Sequence, residues 1–345
     1  MVNRWLGAVQ IAAVYIGTII GAGFATGKEI AAFFTRFGLY GFFTIGLAGL
    51  VFIVLGTIMM EKAIDMKAQS YEEFNRYLFG KTLAGGINLL MMMMLIGVCG
   101  VMLSGAGAVF EEQLHLSRQT GILVTLFLTF SVMMAGTKGL LSVNTFVVPM
   151  MIVFNLLLMS QSVRTEGFSR LFWARPDFHE SVQAVIQALS YAAFNLALAQ
   201  AVLVPVASEA GDKKTVRLGG ILGGLFLTIL LFSSHFSLVT LPDISSLEIP
   251  MAHIVKTSFP SIYFIYVMII FCEIFTSILG DVYGLEKQLQ TYLPVKSSWI
   301  FLFILIVIAL ISRMHYGALL SVLYPVFGYF SLLFIVMLVI KTIKA

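Results

Sequence analysis

Long apolar runs, punctuated by short clusters of glycine, proline and charge, set the pattern of this chain. Runs such as Leu89 to Leu103 are apolar throughout. Membrane strands would instead alternate between an apolar and a polar face, so these runs predict helices. One helical crossing takes roughly 20 apolar residues. By that measure the pattern predicts ten spans: Trp5 to Phe37, Leu39 to Met60, Leu83 to Phe110, Gly121 to Ala135, Leu141 to Ser160, Val182 to Val206, Leu218 to Thr240, Ile262 to Tyr283, Trp299 to Ile311 and Leu319 to Ile340. No segment reads as a soluble domain. The opening stretch, Met1 to Gly23, has the shape of a signal peptide, but nine further spans follow it, and it is read as the first membrane helix.

Composition agrees. The 345 residues are 59% hydrophobic and 11% charged, against about 25% charge in a soluble domain. The net charge of +4 is no signal for nucleic acid, because the basic residues sit mostly in short loops. With the N-terminus inside, thirteen Lys and Arg fall in cytoplasmic segments and seven outside, with Lys28 left in the first span. That bias predicts both termini in the cytoplasm, although the segment Arg164 to Arg175 runs against it. Cys99 and Cys272 lie in apolar runs and read as small buried thiols. The histidines His115, His179, His235, His253 and His315 are scattered, with neither an HExxH pair nor a GxSxG elbow, which argues against an enzyme.

The chain repeats itself. CGVMLSGAGAVF from Cys99 and CEIFTSILGDVY from Cys272 share Cys, Ser, Gly and Val at the same spacing, 173 residues apart. Val9-Gln10 recurs as Val182-Gln183 at the same offset, and LLSV at Leu140 recurs at Leu319, 179 residues on. These matches pair spans one with six, three with eight and five with ten. A duplicated unit of five spans re-enters the membrane upside down. The expected architecture is therefore a 5+5 inverted repeat in one membrane domain, with repeat one over about residues 1–163 and repeat two over about 177–345. Secondary transporters built this way bind their solute near the midplane where the repeats meet.

Span one carries Gly17, Gly21, Gly23 and Gly27 around the string IIGAGF. Each glycine costs a helix about 1 kcal/mol relative to alanine, and unwound backbone is tolerated in a membrane only against protein or a cavity. A break here frees amides at Gly21, Ala22 and Gly23 for an anionic group, and carbonyls below them for a cation. Close helix packing through small residues is the simpler alternative. Span six places Ser190, Ala192, Ala193 and Asn195 at its middle, with Pro205 beyond, and is read as a second break whose Ala192, Ala193 and Asn195 line the opposite wall. On span eight Glu273, Thr276, Ser277, Gly280 and Asp281 form one helical stripe that should face the bundle.

IIGAGF resembles the IIGSGIF signature of the amino acid, polyamine and organocation transporter superfamily, whose members share the fold of the sodium-coupled leucine transporter. YAAFN at Tyr191 resembles that superfamily's broken sixth helix, EAGDKK at Glu209 its following loop, and Asn144 in GTKGLLSVN the entry to its fifth helix. The chain as a whole is similar to the bacterial YkvI-type membrane protein family. The resemblance implies a sodium site made of the Gly17, Ile20 and Glu273 carbonyls with the Thr276 and Ser277 hydroxyls. The Glu273 carboxylate departs from the pattern and suits proton coupling instead; an ion pair with Lys28 is its bland role. The fifth span has no lysine, unlike some proton-coupled relatives, which favours sodium. Lys28 and Glu29 read as an outer gate, and Asp281 as a further gate or proton candidate. The expected protein is a cation-coupled secondary transporter of a small zwitterion such as an amino acid, in a bacterial-type cell membrane. Sodium is the coupling ion, no other cofactor is implied, and the partners are the solute and the lipid bilayer. Proton coupling, or a channel or sensor on the same scaffold, is the alternative.

Overall fold

The computed structural model describes residues 4–165, 168–173, 178–241, 244, 247, 249–313 and 316–343, with the side chains of all but 170–171, 178–179 and 316–326. Every regular element among them is helical. The first span is in three pieces, α1 (Arg4–Ile19), α2 (Ala22–Thr26) and α3 (Lys28–Phe33). The second runs through α4 (Leu39–Val51), a π-helical turn (Phe52–Gly56) and α5 (Thr57–Met66). There follow α6 (Tyr71–Ala108), α7 (Arg118–Met133), α8 (Thr137–Ser162), the short α9 (Phe168–Phe172), α10 (Phe178–Ala210), α11 (Lys213–Leu238), α12 (Pro250–Ser258), α13 (Tyr263–Gln290), α14 (Ser297–Ile311) and α15 (Tyr316–Ile343). The third span was expected to start at Leu83. Helix in fact begins at Tyr71 but bends at Gly80 (φ 75°, ψ 169°), so the charged first turns stand apart from the apolar run.

Among the described residues six helices are long and apolar enough to cross a membrane outright, and the α1, α7, α14 and α15 regions supply shorter apolar helices. Large apolar side chains cover the outside: Phe43, Phe127, Phe146 and Trp299 are each more than 60% exposed. Apolar surface on that scale belongs against lipid. The centre of the bundle is α10, with α1 and α13 packed on it. Close approach of α11 to α1 depends on Gly219 and Gly223, where a Cβ would press into Ile11 and Tyr15. The Tyr15 hydroxyl donates to Phe52 O at 2.8 Å, within the π turn.

Five ion pairs, Arg4–Asp212, Lys213–Asp65, Arg217–Glu61, Lys287–Glu209 and Arg76–Glu72, involve segments that the charge bias assigns to one side. Asp212 also caps α11, accepting from Lys214 N–H at 3.2 Å and from the Thr215 hydroxyl at 2.5 Å.

The expected break in span six is corrected: α10 is one uninterrupted helix from Phe178 to Ala210. The reason lies in its residues, for it contains no glycine. At the offset of 173 between the matching strings, Gly21 and Gly23 correspond to Phe194 and Leu196. Pro205 removes one backbone donor without ending the helix. Where the first helix opens, α10 stays closed. Of the other sequence matches, the Leu319 tetrapeptide lies outside the described side chains, as do His179 and His315.

Candidate functional site: the break in the first helix

Backbone bonding defines the break. The ladder of α1 ends with Ile20 N–H on Ile16 O at 3.0 Å, and that of α2 begins with Ala25 N–H on Gly21 O at 2.9 Å. Between them Gly21 is extended (φ −101°, ψ −168°). Gly27, at φ 85°, then turns the chain into α3, a left-handed conformation that glycine adopts without a Cβ penalty. Among the described residues the carbonyls of Gly17 and Ile20 accept no backbone N–H. Two strong acceptors are thus left inside the bundle, at the negative end of a helix.

α13 brings hydroxyls to the same place. The Thr276 hydroxyl donates to Glu273 O at 2.9 Å and the Ser277 hydroxyl to Thr18 O at 3.4 Å. A Cβ built on Gly17 would lie 3.5 Å from Thr276 Oγ1, and one on Gly21 3.5 Å from Ser277 Oγ. A hydroxyl that gives its proton to a carbonyl still has lone pairs to offer. Carbonyls and hydroxyls of this kind are the oxygens a hard cation takes. Both hydroxyl residues are buried, as are Glu273 and Asp281 on the same stripe. Among the described residues neither carboxylate has an ion-pair partner, and Asp281 Oδ2 is buried without a hydrogen bond. The bland pairing of Glu273 with Lys28 is therefore not formed.

The outward side of the break is filled by the chain itself. Glu29 is buried and its side chain lies over Gly23, where a Cβ would come within 2.6 Å of Glu29 Cδ and overlap the carboxylate. The terminal methyl of Met102 covers Gly21 in the same way. Lys28, next in sequence to Glu29, is partly exposed. Gly27 lies beneath Met251 of α12 and Leu238 of α11, and Phe33 and Phe34 pack on Tyr191 of α10 at 5.3 and 5.1 Å between ring centroids. This end of the bundle is sealed.

The opposite end is open. A cavity of about 750 Å³ is lined by Arg4, Gln10 and Ile11 of α1, Thr137 and Lys138 of α8, and Val206 and Glu209 of α10. At its rim Tyr283 donates to Glu209 at 3.1 Å, Thr137 lies 3.1 Å from the same hydroxyl, and Lys287 pairs with Glu209 at 3.3 Å. On α1 the cavity reaches Ile11, ten residues or about 15 Å along a helix before Gly21, and the residues between are buried, so the cavity leads toward the break but stops short of it.

Of the residues expected to form the site, Gly17, Gly21, Thr276 and Ser277 are brought together, with Ile20 and the Glu273 carbonyl contiguous in the same elements. Ala22 and Gly23 open α2. Ala192, Ala193 and Asn195 are buried in the unbroken α10, and the Asn195 amide donates back to Tyr191 O at 2.9 Å, so this wall offers no free backbone. Asn144 and Met102 were not foreseen at the site. Asn144 was singled out as the entry to the fifth span and not as a site residue; nothing in the sequence marked Met102.

Known proteins place this architecture. The chain is 48% identical over 335 residues to the membrane protein YkvI of Bacillus subtilis (strain 168), covering 97% of this chain and 96% of that one. It is 23% identical over 343 residues to YyaD of the same organism, covering 98% of each. Two solved structures share the fold: MhsT in complex with L-phenylalanine (TM-score 0.67, 15% identity, 90% of this chain and 78% of that one) and a Na+-coupled sialic acid symporter in a substrate-bound outward-open state (TM-score 0.69, 13% identity, 98% and 78%). Both have the leucine-transporter fold expected from IIGAGF. Residues 6–318 match the spore germination protein family, and the chain belongs to it.

Proposed function

We propose that this protein is a cation-coupled secondary transporter of a small solute, with sodium as the coupling ion and an amino acid or related zwitterion as the solute. The observation that carries the reading is the break at Gly21, which leaves the Gly17 and Ile20 carbonyls without a backbone donor among the described residues, while Gly17 and Gly21 themselves lie against the Thr276 and Ser277 hydroxyls. With the Glu273 carbonyl, these would hold the ion. The packed end at Gly27 and the cavity at Gln10 support alternating access, because a bundle closed at one end and entered from the other, with the break buried between, is one stage of such a cycle. By the charge bias the open end is cytoplasmic. The fold of the Na+-coupled symporter fits the same reading.

The solute would bind by the amides of Gly21, Ala22 and Gly23, against Ala192, Ala193 and Asn195. Glu29 lies over Gly23 in the sealed form and must withdraw for an anionic group to reach those amides. Glu29 would thus act as a gate from within, with Lys28 at its partly exposed rim. The ten spans and the two five-span repeats belong to this proposal too. A proton on Glu273 is the second reading, favoured by its burial without a cationic partner among the described residues.

Thermal unfolding of the purified protein in sodium chloride against choline chloride tests the ion, with a panel of amino acids added in each salt. Saturable stabilisation by sodium, and stronger stabilisation by one amino acid when sodium is present, is the expected result. Vesicle uptake of that amino acid should be concentrative and collapse with the sodium gradient. Absence of any sodium response, or uptake that only equilibrates, refutes the proposal and leaves a channel or sensor.

A further inference from the structure

Asn144 is the polar side chain that this account leaves unused. It is completely buried on α8, and its Nδ2 donates to Leu140 O at 2.9 Å. That bond fixes the amide, since a flipped side chain would set its oxygen against a carbonyl oxygen. Oδ1 must then point away from its own helix, and it points at the break: a Cβ on Gly17 would overlap Oδ1 and lie 2.9 Å from Cγ, with Thr276 Oγ1 at 3.5 Å from the same point. Among the described residues Asn144 Oδ1 has no hydrogen-bond partner.

A buried acceptor left unsatisfied is costly, and apolar alternatives of similar shape exist at such a site. We infer that Asn144 Oδ1 is a further ligand of the coupling cation, reaching from α8 to the oxygens that α1 and α13 supply. The inference rests on the cation-site reading above. Asn144 adds an oxygen without adding charge, and that suits a monovalent hard ion: the carbonyls, hydroxyls and amide together carry no net charge. It also ties a third element to the ion, so that binding would draw α8 toward α1 and α13.

The test is a sodium titration of the thermal midpoint, at constant ionic strength with choline, for the wild type, Asn144→Leu and Asn144→Asp. Asn144→Leu has a similar shape but no oxygen, and its half-saturating sodium concentration should rise tenfold or more. Asn144→Asp retains the oxygen and adds a negative charge, so half-saturation should move to lower sodium. A merely structural role would shift the midpoints in both salts and leave half-saturation where it was. An unchanged half-saturation in Asn144→Leu overturns the inference; if that variant does not fold, an unchanged value in Asn144→Asp overturns it. A wild type with no sodium response sinks the underlying site reading instead, before either variant is compared.

Discussion

Replacing Thr276 by Val and Ser277 by Ala removes two hydroxyl oxygens from the break while retaining most of the packing volume. Two costs follow, and they separate by salt. The first is to the fold: the bonds from Thr276 to Glu273 O and from Ser277 to Thr18 O are lost. At about 0.5–1.5 kcal/mol each, that is roughly 1–3 kcal/mol in any salt. The second is to the ion. With sodium at about one hundred times its dissociation constant, the bound ion stabilises the wild type by about 2.7 kcal/mol. If losing two oxygens weakens binding about a hundredfold, the same sodium concentration leaves only about 0.4 kcal/mol. The double variant should therefore unfold at a lower temperature in choline, and in addition lose most of the further rise that sodium gives the wild type, a matter of several degrees on the usual scale of 2–4 °C per kcal/mol. By linkage, whatever factor the change takes from sodium's enhancement of solute binding it takes equally from the solute's enhancement of sodium binding. Differential scanning fluorimetry across a sodium series measures both terms. A variant that unfolds earlier in choline yet keeps the whole sodium increment would show that these hydroxyls serve the fold alone, and the reasoning fails.

Glu273→Gln keeps the backbone carbonyl and removes the titratable group, so sodium-driven uptake should survive; uptake driven by a pH gradient without sodium, abolished by this change, would establish proton coupling instead. At the α10–α11 turn the Thr215 hydroxyl, chiefly, holds the Asp212 carboxyl below its ordinary value of 3.8. A lowered pKa contributes stability that is present above the ordinary value and is lost as pH falls through the lowered one. Melting temperatures of the wild type should accordingly fall more steeply below about pH 4 than those of Asp212→Asn, and parallel curves would refute this. Reporter fusions after Met60 and at Ala345 should read cytoplasmic and one after Phe110 external; an external C-terminus would give an odd span count and end the five-plus-five scheme.

Some of this molecule is dictated locally. Apolar length alone specifies membrane helices, because a bilayer leaves backbone groups no other partner. The density of glycine in IIGAGF marks the break, since the helix is weakened there by residues that no packing partner can stiffen, and the stripe from Glu273 to Asp281 follows from helical period. What the sequence could not decide is where each polar atom points. Asn195, Pro205 and the string YAAFN suggested a second broken helix, but Phe194 and Leu196 stand at the offset of Gly21 and Gly23, and α10, which has no glycine, is whole. Lys28 and Glu29 looked alike as gate residues until the left-handed turn at Gly27 set the direction of α3, sending one carboxylate inward over Gly23 and leaving its neighbour at the surface. Asn144 was legible only as a polar residue at the entry of the fifth span. Its bond to Leu140 and its contact with Gly17, far away in the chain, aim its oxygen at the break, and only the packing of α8 on α1 could bring those two residues together.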